Sequence, residues 1–329
     1  MRAAYILEPG PARSIRCGDL PKPVPDGSQV LVKVAAVAVN PIDTYIRGGA
    51  YPMALQSPFI IGRDMAGTVE AVGPAVGRFA PGDRVWCNNQ GYHGRQGTFA
   101  EFVAIDEAWL YPLPTGVGER EAVAVAHSAL TACLGLVREA ELRAGETVFV
   151  NGGSGNVGSA VLQLARNMGA RVIVTAGGER KLRRCLERGA ERAIDYRTED
   201  VTAAVRDFAP RGVDVHWDTT RRPDFERAVP LLAHRGRIIL MAGLDAHPPF
   251  PVGAFYTRDC SMHGFAVTNA SEEELRGSAE IINRWLAAGR LRAVIDRVLP
   301  LAEAAAAHEL VEARLQGRTE LGGKIVLEP

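Results

Sequence analysis

Apolar and polar positions alternate in two distinct ways along the chain. Valine recurs from Gln29 to Val39 with little helical periodicity, and Pro41 closes the run, which predicts a strand. Gly67–Val72, Asp83–Trp86 and Thr98–Ile105 read the same way, separated by turn clusters such as Ala80-Pro81-Gly82-Asp83. Short strands at this spacing predict a small barrel or sandwich. Near Gly118 the texture turns helical, with Glu119–Leu136 rich in Ala and Leu and a stop near Ala144-Gly145. Strands and helices then alternate. Thr147–Asn151 precedes a helix from about Asn156, and Arg171–Ala176 precedes one over Glu179–Arg188. Ala193–Tyr196 leads into Glu199–Phe208, and Val213–Trp217 into Asp224–Ala233. Arg237–Met241 and Ser261–Phe265 complete a set of strands that predicts an α/β unit, its parallel sheet covered on both faces. A helix (Glu272–Ala288), a strand (Ala293–Leu299), a helix (Leu301–Arg314) and a strand (Lys324–Leu327) follow, with no internal repeat.

Composition narrows the function classes. At 329 residues the chain has room for two domains. Lys+Arg and Asp+Glu both total 38, and zero net charge removes the footprint of a nucleic-acid or anionic-membrane binder. Lysine occurs only at Lys22, Lys33, Lys181 and Lys324. The cysteines, Cys17, Cys87, Cys133, Cys185 and Cys260, are far apart and form no CxxC, so no local zinc site or redox dithiol is encoded. Met1–Pro9 lacks the apolar core of a signal peptide. The stretch Ala122–Val137 is broken by His127, Ser128 and Thr131 and falls short of roughly 18 residues, so it reads as a buried helix. The cytosol is the expected compartment.

The most informative segment is Thr147-Val-Phe-Val-Asn-Gly-Gly-Ser-Gly-Asn-Val-Gly158. Gly153, Gly155 and Gly158 fit GxGxxG between a strand and a helix. In that context the glycines permit a tight turn, close backbone approach to a pyrophosphate, and close helix–strand packing. The helix N-terminus adds the positive end of a dipole. An NAD site usually places an acid at the end of the second strand. Here the strand ends Val174-Thr-Ala-Gly-Gly178 without one, Lys181 follows, and Tyr196 ends the next strand, which together favour NADPH. Glu179 argues the other way, unless it is simply an acid favoured by a helix dipole.

Further motifs surround this loop. They are Gly62-Arg-Asp-Met-Ala-Gly-Thr-Val-Glu-Ala-Val-Gly73, Phe79–Val85, Val39-Asn-Pro-Ile-Asp43, Arg47-Gly-Gly-Ala-Tyr51 and Ser128–Thr131. Carrying them, the chain resembles over essentially its whole length the zinc-independent quinone oxidoreductases related to ζ-crystallin, within the medium-chain dehydrogenase/reductase superfamily. The resemblance implies a GroES-like β-rich catalytic domain, residues 1–124 and 267–329, and an inserted Rossmann doubly wound NADP-binding domain, residues 125–266. It places the active site in the cleft between them. The zinc alcohol dehydrogenases carry Gly-His-Glu where this chain has Gly62-Arg63-Asp64, and their first catalytic Cys falls in the segment held here by Asn40–Asp43. Three protein ligands for zinc cannot be assembled, so no metal is expected.

The resemblance also assigns roles, each of which has a plainer alternative. Asn40 would donate a hydrogen bond to a quinone oxygen, or simply end a strand before Pro41. Asp43 would join the site or cap the short helix that follows. Tyr51 would lie beside nicotinamide and substrate, or be an ordinary half-buried loop aromatic. Arg63 and Asp64 would form a charge pair, in the cleft floor or purely structural. Thr131 would sit near the nicotinamide. Ser154, Gly155, Asn156 and Val157 would hold the pyrophosphate, and Gly177, Lys181 and Tyr196 the 2′-phosphate. Backbone of Ala242, Gly243, Leu244, Phe265, Ala266 and Val267 would hold ribose and carboxamide. Lys324 would lie near the cofactor, with Arg314 a further candidate. His127 reads as a structural hydrogen-bonder.

The expected activity is NADPH:quinone reduction. The alternatives are enone or 2-enoyl thioester reduction and, in another class, a structural or RNA-binding NADPH protein. Pairing of Ser261–Phe265 across a two-fold would give a homodimer able to assemble further.

Overall fold

A computed structural model describes residues 1–51, 53–319 and 322–329. In chain order the first strands are β1 (Arg2–Ile6), β2 (Arg16–Asp19) and β3 (Gln29–Val39), followed by helix α1 (Pro41–Gly48). Next come β4 (Phe59–Ile60), β5 (Asp64–Val72), β6 (Arg84–Cys87), β7 (Phe102–Asp106) and β8 (Leu110–Pro112), then α2 (Glu119–Leu134). Five strand–helix pairs follow: β9 (Thr147–Asn151) and α3 (Asn156–Asn167), β10 (Arg171–Ala176) and α4 (Glu179–Glu187), β11 (Arg192–Asp195) and α5 (Val201–Phe208), β12 (Val213–Asp218) and α6 (Phe225–Leu231), β13 (Leu232–Leu240) and α7 (Val252–Tyr256). The chain finishes with β14 (Ser261–Gly264), α8 (Glu272–Ala287), β15 (Ile295–Pro300), α9 (Ala304–Leu315) and β16 (Lys324–Glu328). It divides into two compact units, Met1–His127 with Ser271–Pro329, and Ser128–Ala270.

In the first unit β3 is the organising strand. It pairs β5 along most of its length, β7 over its first half and β16 over its last residues, within the order β15-β16-β3-β5-β6-β8. A small sheet, β2-β1-β4, lies apart. Val30, Val32, Val37, Met65, Val85, Phe99 and Leu327 meet in its core with almost no exposed surface. Eleven valine-rich residues suit this place, because β-branched side chains pack well on a pleated surface buried against neighbours.

In the second unit all ladders are parallel, in the order β11-β10-β9-β12-β13-β14. Numbered within the unit this is 3-2-1-4-5-6, the doubly wound arrangement of dinucleotide-binding folds. Phe149, Ile173, Ile194, Val205 and Ile238 fill part of its core. The helix Glu119–Glu139 is long and apolar enough to cross a membrane, yet 78% of its most apolar window is buried, as expected of a core helix. Its last turn, Gly135–Glu139, widens into a π-turn.

Several boundaries differ from the pattern-based expectation. Thr98–Ala100 leaves the ladder of β7: Thr98 Oγ1 donates to the Asp64 carbonyl at 2.8 Å, and Ala4 N–H donates to the Phe99 carbonyl at 2.8 Å, so this stretch crosses towards β1. The helix expected to reach Ala233 ends at Leu231, with Pro230 in its last turn, and β13 starts at once. Helix α5 starts at Val201 because Asp200 caps it, accepting from Ala203 N–H at 3.1 Å. The strand expected from Ala293 begins at Ile295.

Candidate functional site

The strand order of the first unit explains its most unusual feature. Lys324 opens β16, Asn40 follows β3, Asp64 opens β5 and Asn88 follows β6. These strands are neighbours in that order, with Ile325 opposite Val39, Ala38 opposite Asp64, and Met65 opposite Cys87. Four polar side chains therefore line up at adjacent strand ends. Lys324 Nζ donates to Asn40 Oδ1, and Asn40 Nδ2 donates to Asp64 Oδ2 at 2.8 Å. Asn88 Nδ2 donates to Asp64 Oδ1 and lies 3.3 Å from His127 Nδ1. Asn40, Asp64 and Asn88 have no exposed surface, and Lys324 has almost none.

Arg63 and Asp43 complete the cluster. Asn40 precedes α1, whose first residue is Pro41, and Asp43 Oδ2 reaches back to accept Asn40 N–H at 2.7 Å. Asp43 is thus the third helical residue, and the expected N-cap role belongs to the Asn40 position instead. Arg63 Nε lies 3.5 Å from Asp43 Oδ1, both side chains buried. The expected Arg63–Asp64 pair is replaced by this one, because consecutive residues entering a strand face opposite sides. Among the described residues Arg63 Nη1 and Nη2 reach no hydrogen-bond partner.

Burial dominates the electrostatics here. It pushes the Asp43 carboxyl up to about 6, against the attraction of Arg63 and with the repulsion of Asp64. Asp64 is raised too, with Lys324, Asn40, Asn88 and Arg63 opposing. Lys324 is lowered, chiefly by burial, with Asp64 and Asp43 holding it up. Half-buried His127 is lowered well below its ordinary value, by removal from water and then by the Arg63 and Lys324 cations.

The Asn40 side chain is engaged within the cluster. One amide hydrogen is spent on Asp64, the other faces the Ala38 carbonyl at 3.4 Å, and the amide oxygen takes Lys324. Asn40 thereby links β16, β3 and β5 at this end of the sheet. Tyr51 comes just past the left-handed Gly49 that ends α1. It is half-buried and edge-on to Tyr92 at 6.0 Å. Arg314 donates to the Gly323 carbonyl at 3.3 Å, next to Lys324.

The second unit gathers its candidates at the carboxyl ends of its strands. Gly152, with φ of 95°, turns the chain out of β9; its N–H donates to Thr175 Oγ1, and Gly153 N–H to the Thr175 carbonyl, both at 2.9 Å. A Cβ on Gly153 would stand 2.5 Å from Val174 Cβ, so only glycine fits where loop and β10 touch. Ser154 and Gly155 follow, and Asn156, Val157 and Gly158 form the first turn of α3, leaving its N-terminal N–H groups at the loop. A helix N-terminus behind a glycine loop of this kind is able to accept a pyrophosphate. Gly152 and Thr175, which tie the loop to its neighbour, were not singled out in the sequence.

Gly177 and Gly178 leave β10 beside the Asp195 carboxylate, whose Oδ2 accepts Gly178 N–H at 3.1 Å and whose Oδ1 accepts Arg197 N–H at 3.0 Å. A Cβ on Gly177 would stand 2.7 Å from Tyr196 Oη and 2.9 Å from Arg197 Nε, so these two side chains close over it. Tyr196 is 55% exposed. Arg197 went unnoticed in the sequence, although a basic residue directly after Tyr196 was the available signal. Lys181 lies in the first turn of α4, its N–H on the Gly178 carbonyl at 3.0 Å. Glu179 pairs with Arg183 one turn along the same helix. Ala242, Gly243 (φ 99°) and exposed Leu244 follow β13. Phe265, whose N–H donates to the Leu240 carbonyl at 3.2 Å and whose ring meets Trp217 edge-on, leads through Ala266 to Val267. Thr131 is buried in α2.

A profile described as alcohol dehydrogenase GroES-like domain matches residues 26–115, and one described as zinc-binding dehydrogenase matches residues 156–284. Quinone oxidoreductase from Mus musculus is 34% identical over 334 residues, spanning 99% of this chain and 98% of its own. The chain belongs to the quinone oxidoreductase family of the medium-chain dehydrogenase/reductases. Among solved structures, an NAD-dependent alcohol dehydrogenase is similar at 32% identity and a TM-score of 0.88. A mycobacterial protein complexed with NADPH is similar at 31% identity and 0.84. Both alignments cover 100% of each chain.

The zinc named in one profile does not fit this quinone oxidoreductase family member. Among the described residues no group of three or more His, Cys, Asp and Glu is placed to hold a metal. Cys87 is buried, with its thiol pushed up chiefly by burial, and points to the Arg63 carbonyl at 4.0 Å. The cluster moreover contains two cations of its own, Arg63 and Lys324, which would repel a third. A dinucleotide does fit, in the glycine-walled cradle.

Proposed function

We propose that this chain reduces quinones with NADPH and without a metal. The observation that carries the reading is the end of the second parallel strand, where Gly177 lies beneath Tyr196 and Arg197 and the neighbouring Asp195 carboxylate is held by the Gly178 and Arg197 N–H groups. A 2′-phosphate there meets donors, whereas a ribose 2′-OH would compete with two backbone N–H groups for the Asp195 carboxylate. One similar structure is named for NAD, so cofactor preference has to be read from this end of the sheet and not from resemblance. Bound NADPH would supply a hydride. The chain's own residues bind and orient. The loop Gly153–Gly158 and the first turn of α3 take the pyrophosphate, and Lys181, Tyr196 and Arg197 surround the 2′-phosphate. Backbone of Ala242–Leu244 and Phe265–Val267 lines ribose and carboxamide.

A second reading is enone or 2-enoyl thioester reduction. It is favoured by Tyr51, whose hydroxyl makes no hydrogen bond among the described residues and so remains a candidate proton donor. NADPH oxidation followed with 1,4-benzoquinone, with an enone and with no acceptor separates the readings. Faster oxidation with the quinone is expected, faster oxidation with the enone selects the second reading, and turnover with neither leaves an NADPH-binding protein of another class.

Two further features belong to this reading. Among the described residues strand β14 is last in its sheet and pairs only β13, an open edge suited to a two-fold homodimer. Light scattering should find a dimer at micromolar concentration. The five cysteines are free, which supports a reducing, cytosolic setting.

A further inference from the structure

Three polar residues share the last rung of the second unit's sheet. Asn151 ends β9 and stands opposite Asp218, which ends β12. Thr175 follows Val174, the partner of Val150, and so takes the place beside Asn151 on β10. Residues abreast in neighbouring strands point to one face, and the row runs on into Ile194 beyond Thr175 and Leu240 beyond Asp218. Thr175 and Asp218 have almost no exposed surface, and Asn151 is half-buried. Strands β9 and β12 are also where the strand order reverses, the place at which doubly wound sheets bind dinucleotides.

The hydrogen bonds along this row run one way. Asn151 Nδ2 donates to Asp218 Oδ2 at 3.2 Å, and the flipped amide would set its oxygen against a carboxylate. Asn151 Oδ1 is thereby turned to β10, where it accepts the Thr175 hydroxyl at 2.9 Å. That hydroxyl has spent its one hydrogen, so its oxygen is left to accept, and it takes Gly152 N–H at 2.9 Å. Gly153 N–H goes to the Thr175 carbonyl, also at 2.9 Å. At the other end Asp218 Oδ1 accepts Thr220 N–H at 2.6 Å. Thr219 closes the far side, its Oγ1 and N–H donating to the Asn151 carbonyl at 2.7 and 3.1 Å. A Cβ on Gly152 would stand 2.3 Å from that hydroxyl oxygen. The first two loop residues are therefore held from both neighbouring strands.

We propose that Thr175, Asn151 and Asp218 are positioning residues for the cofactor loop. They form one directional row, anchored on the Asp218 carboxylate, that holds Gly152 and Gly153 against β10 and presets the turn that takes the pyrophosphate. The proposal rests on the reading of that loop as the pyrophosphate site. A buried carboxylate beside an anion site would be a liability if it acted on the ligand. Here its effect is orientation: the bond from Asn151 is charge-assisted, and the bonds behind it polarise in the same sense. A loop ordered in advance spares the ordering cost at binding. The row serves the part of the dinucleotide that NADPH and NADH share, in contrast to Lys181, Tyr196 and Arg197 at the 2′ end.

The test is a set of calorimetric titrations with an exchange measurement beside it. Thr175→Val keeps the side-chain shape and removes the hydroxyl. It should weaken NADPH, NADH and ADP-ribose by one shared factor of about 10, and leave adenosine 2′-monophosphate, which has no pyrophosphate, unchanged. Thr175→Ser should bind each ligand as the wild type does. Asn151→Leu should match Thr175→Val, and the double variant should lose no more than either alone, because both break the same row. An equal loss for adenosine 2′-monophosphate, a loss confined to NADPH, or losses that multiply in the double variant would each overturn the proposal. In the unliganded wild type, hydrogen exchange should find the Gly152 and Gly153 amides protected like those of β9. Free exchange there overturns the proposal as well, and this arm needs no variant to fold. A wild type that binds neither dinucleotide removes the reading of the loop and this inference with it. A wild type that binds both, matched by a folded Thr175→Val, removes the inference alone.

Discussion

The two polar regions of this chain are built in opposite ways. The Gly177 end of the second unit is assembled from short local segments, a strand tip, a helix start and the next strand tip, and Tyr196 there is 55% exposed. The Asn40 cluster of the first unit draws its members from four strand ends and holds them out of water. Charges at the first region act through recognition, which salt weakens. Charges at the second act on one another, so their effects appear in stability, protonation and side-chain orientation.

The largest effect should come from breaking the buried cluster. Lys324→Met leaves Asp64 and Asp43 without their buried ammonium, and loss of one partner of such a group costs about 3–5 kcal/mol. Urea denaturation measures this. A loss below about 1 kcal/mol would mean that the cluster is well hydrated and the contrast between the regions false.

A slightly smaller effect separates Asp43 from its surroundings. Its carboxyl titrates at about 6 in the folded chain, against an ordinary 3.8. Between those values the folded state keeps a proton that the unfolded chain has lost, so this group's contribution to stability falls as pH rises from about 4 to about 6. The shift corresponds to about 3 kcal/mol. Buried His308 and His216 work the other way. Burial pushes them down to about 3 and about 4, so they cost stability as pH drops below about 6.5. The difference between wild type and Asp43→Asn isolates the carboxyl, and it should grow in the variant's favour by about 3 kcal/mol across that window. A difference independent of pH would place Asp43 in water.

At the exposed region Lys181→Ala and Arg197→Ala should each weaken NADPH binding by about 10–150-fold, the worth of one hydrogen bond to a charged group. NADH binding should barely change, and the NADPH preference should shrink with added salt. Equal losses for both cofactors would make these residues structural, and tighter wild-type binding of NADH would give the ribose to Glu179. The smallest effect is expected at the solvated pair Lys22–Glu70, where Glu70→Gln should change stability by less than about 1 kcal/mol.

The same contrast explains what was legible in the sequence. The glycine loop was readable because its function lies in consecutive residues between a strand and a helix, and the missing acid after Val174 was readable for the same reason. Arg197 was less legible, because one arginine in an arginine-rich chain carries no signal until the fold sets it against Gly177. The cluster escaped for a stronger reason. Lys324 and Asn40 are 284 residues apart, and only the pairing of β16 with β3 brings them together. Asn88 belongs to no motif, and its importance follows entirely from lying beside Asp64. The exchange of partners, Arg63 to Asp43 and not to Asp64, depends on which face of β5 each side chain takes, and adjacency in sequence points the wrong way. The short strands Arg16–Asp19, Phe59–Ile60 and Leu110–Pro112 carry too few residues to show a period.

The central claim is reduction of quinones by NADPH on a scaffold whose buried cations stand in no metal's place. The most direct measurement is the turnover of exhaustively chelated protein with NADPH and 1,4-benzoquinone, alongside elemental analysis of the same sample. Full activity at far less than one zinc per chain is the predicted result. Activity that vanishes on chelation and returns with one equivalent of zinc would contradict it.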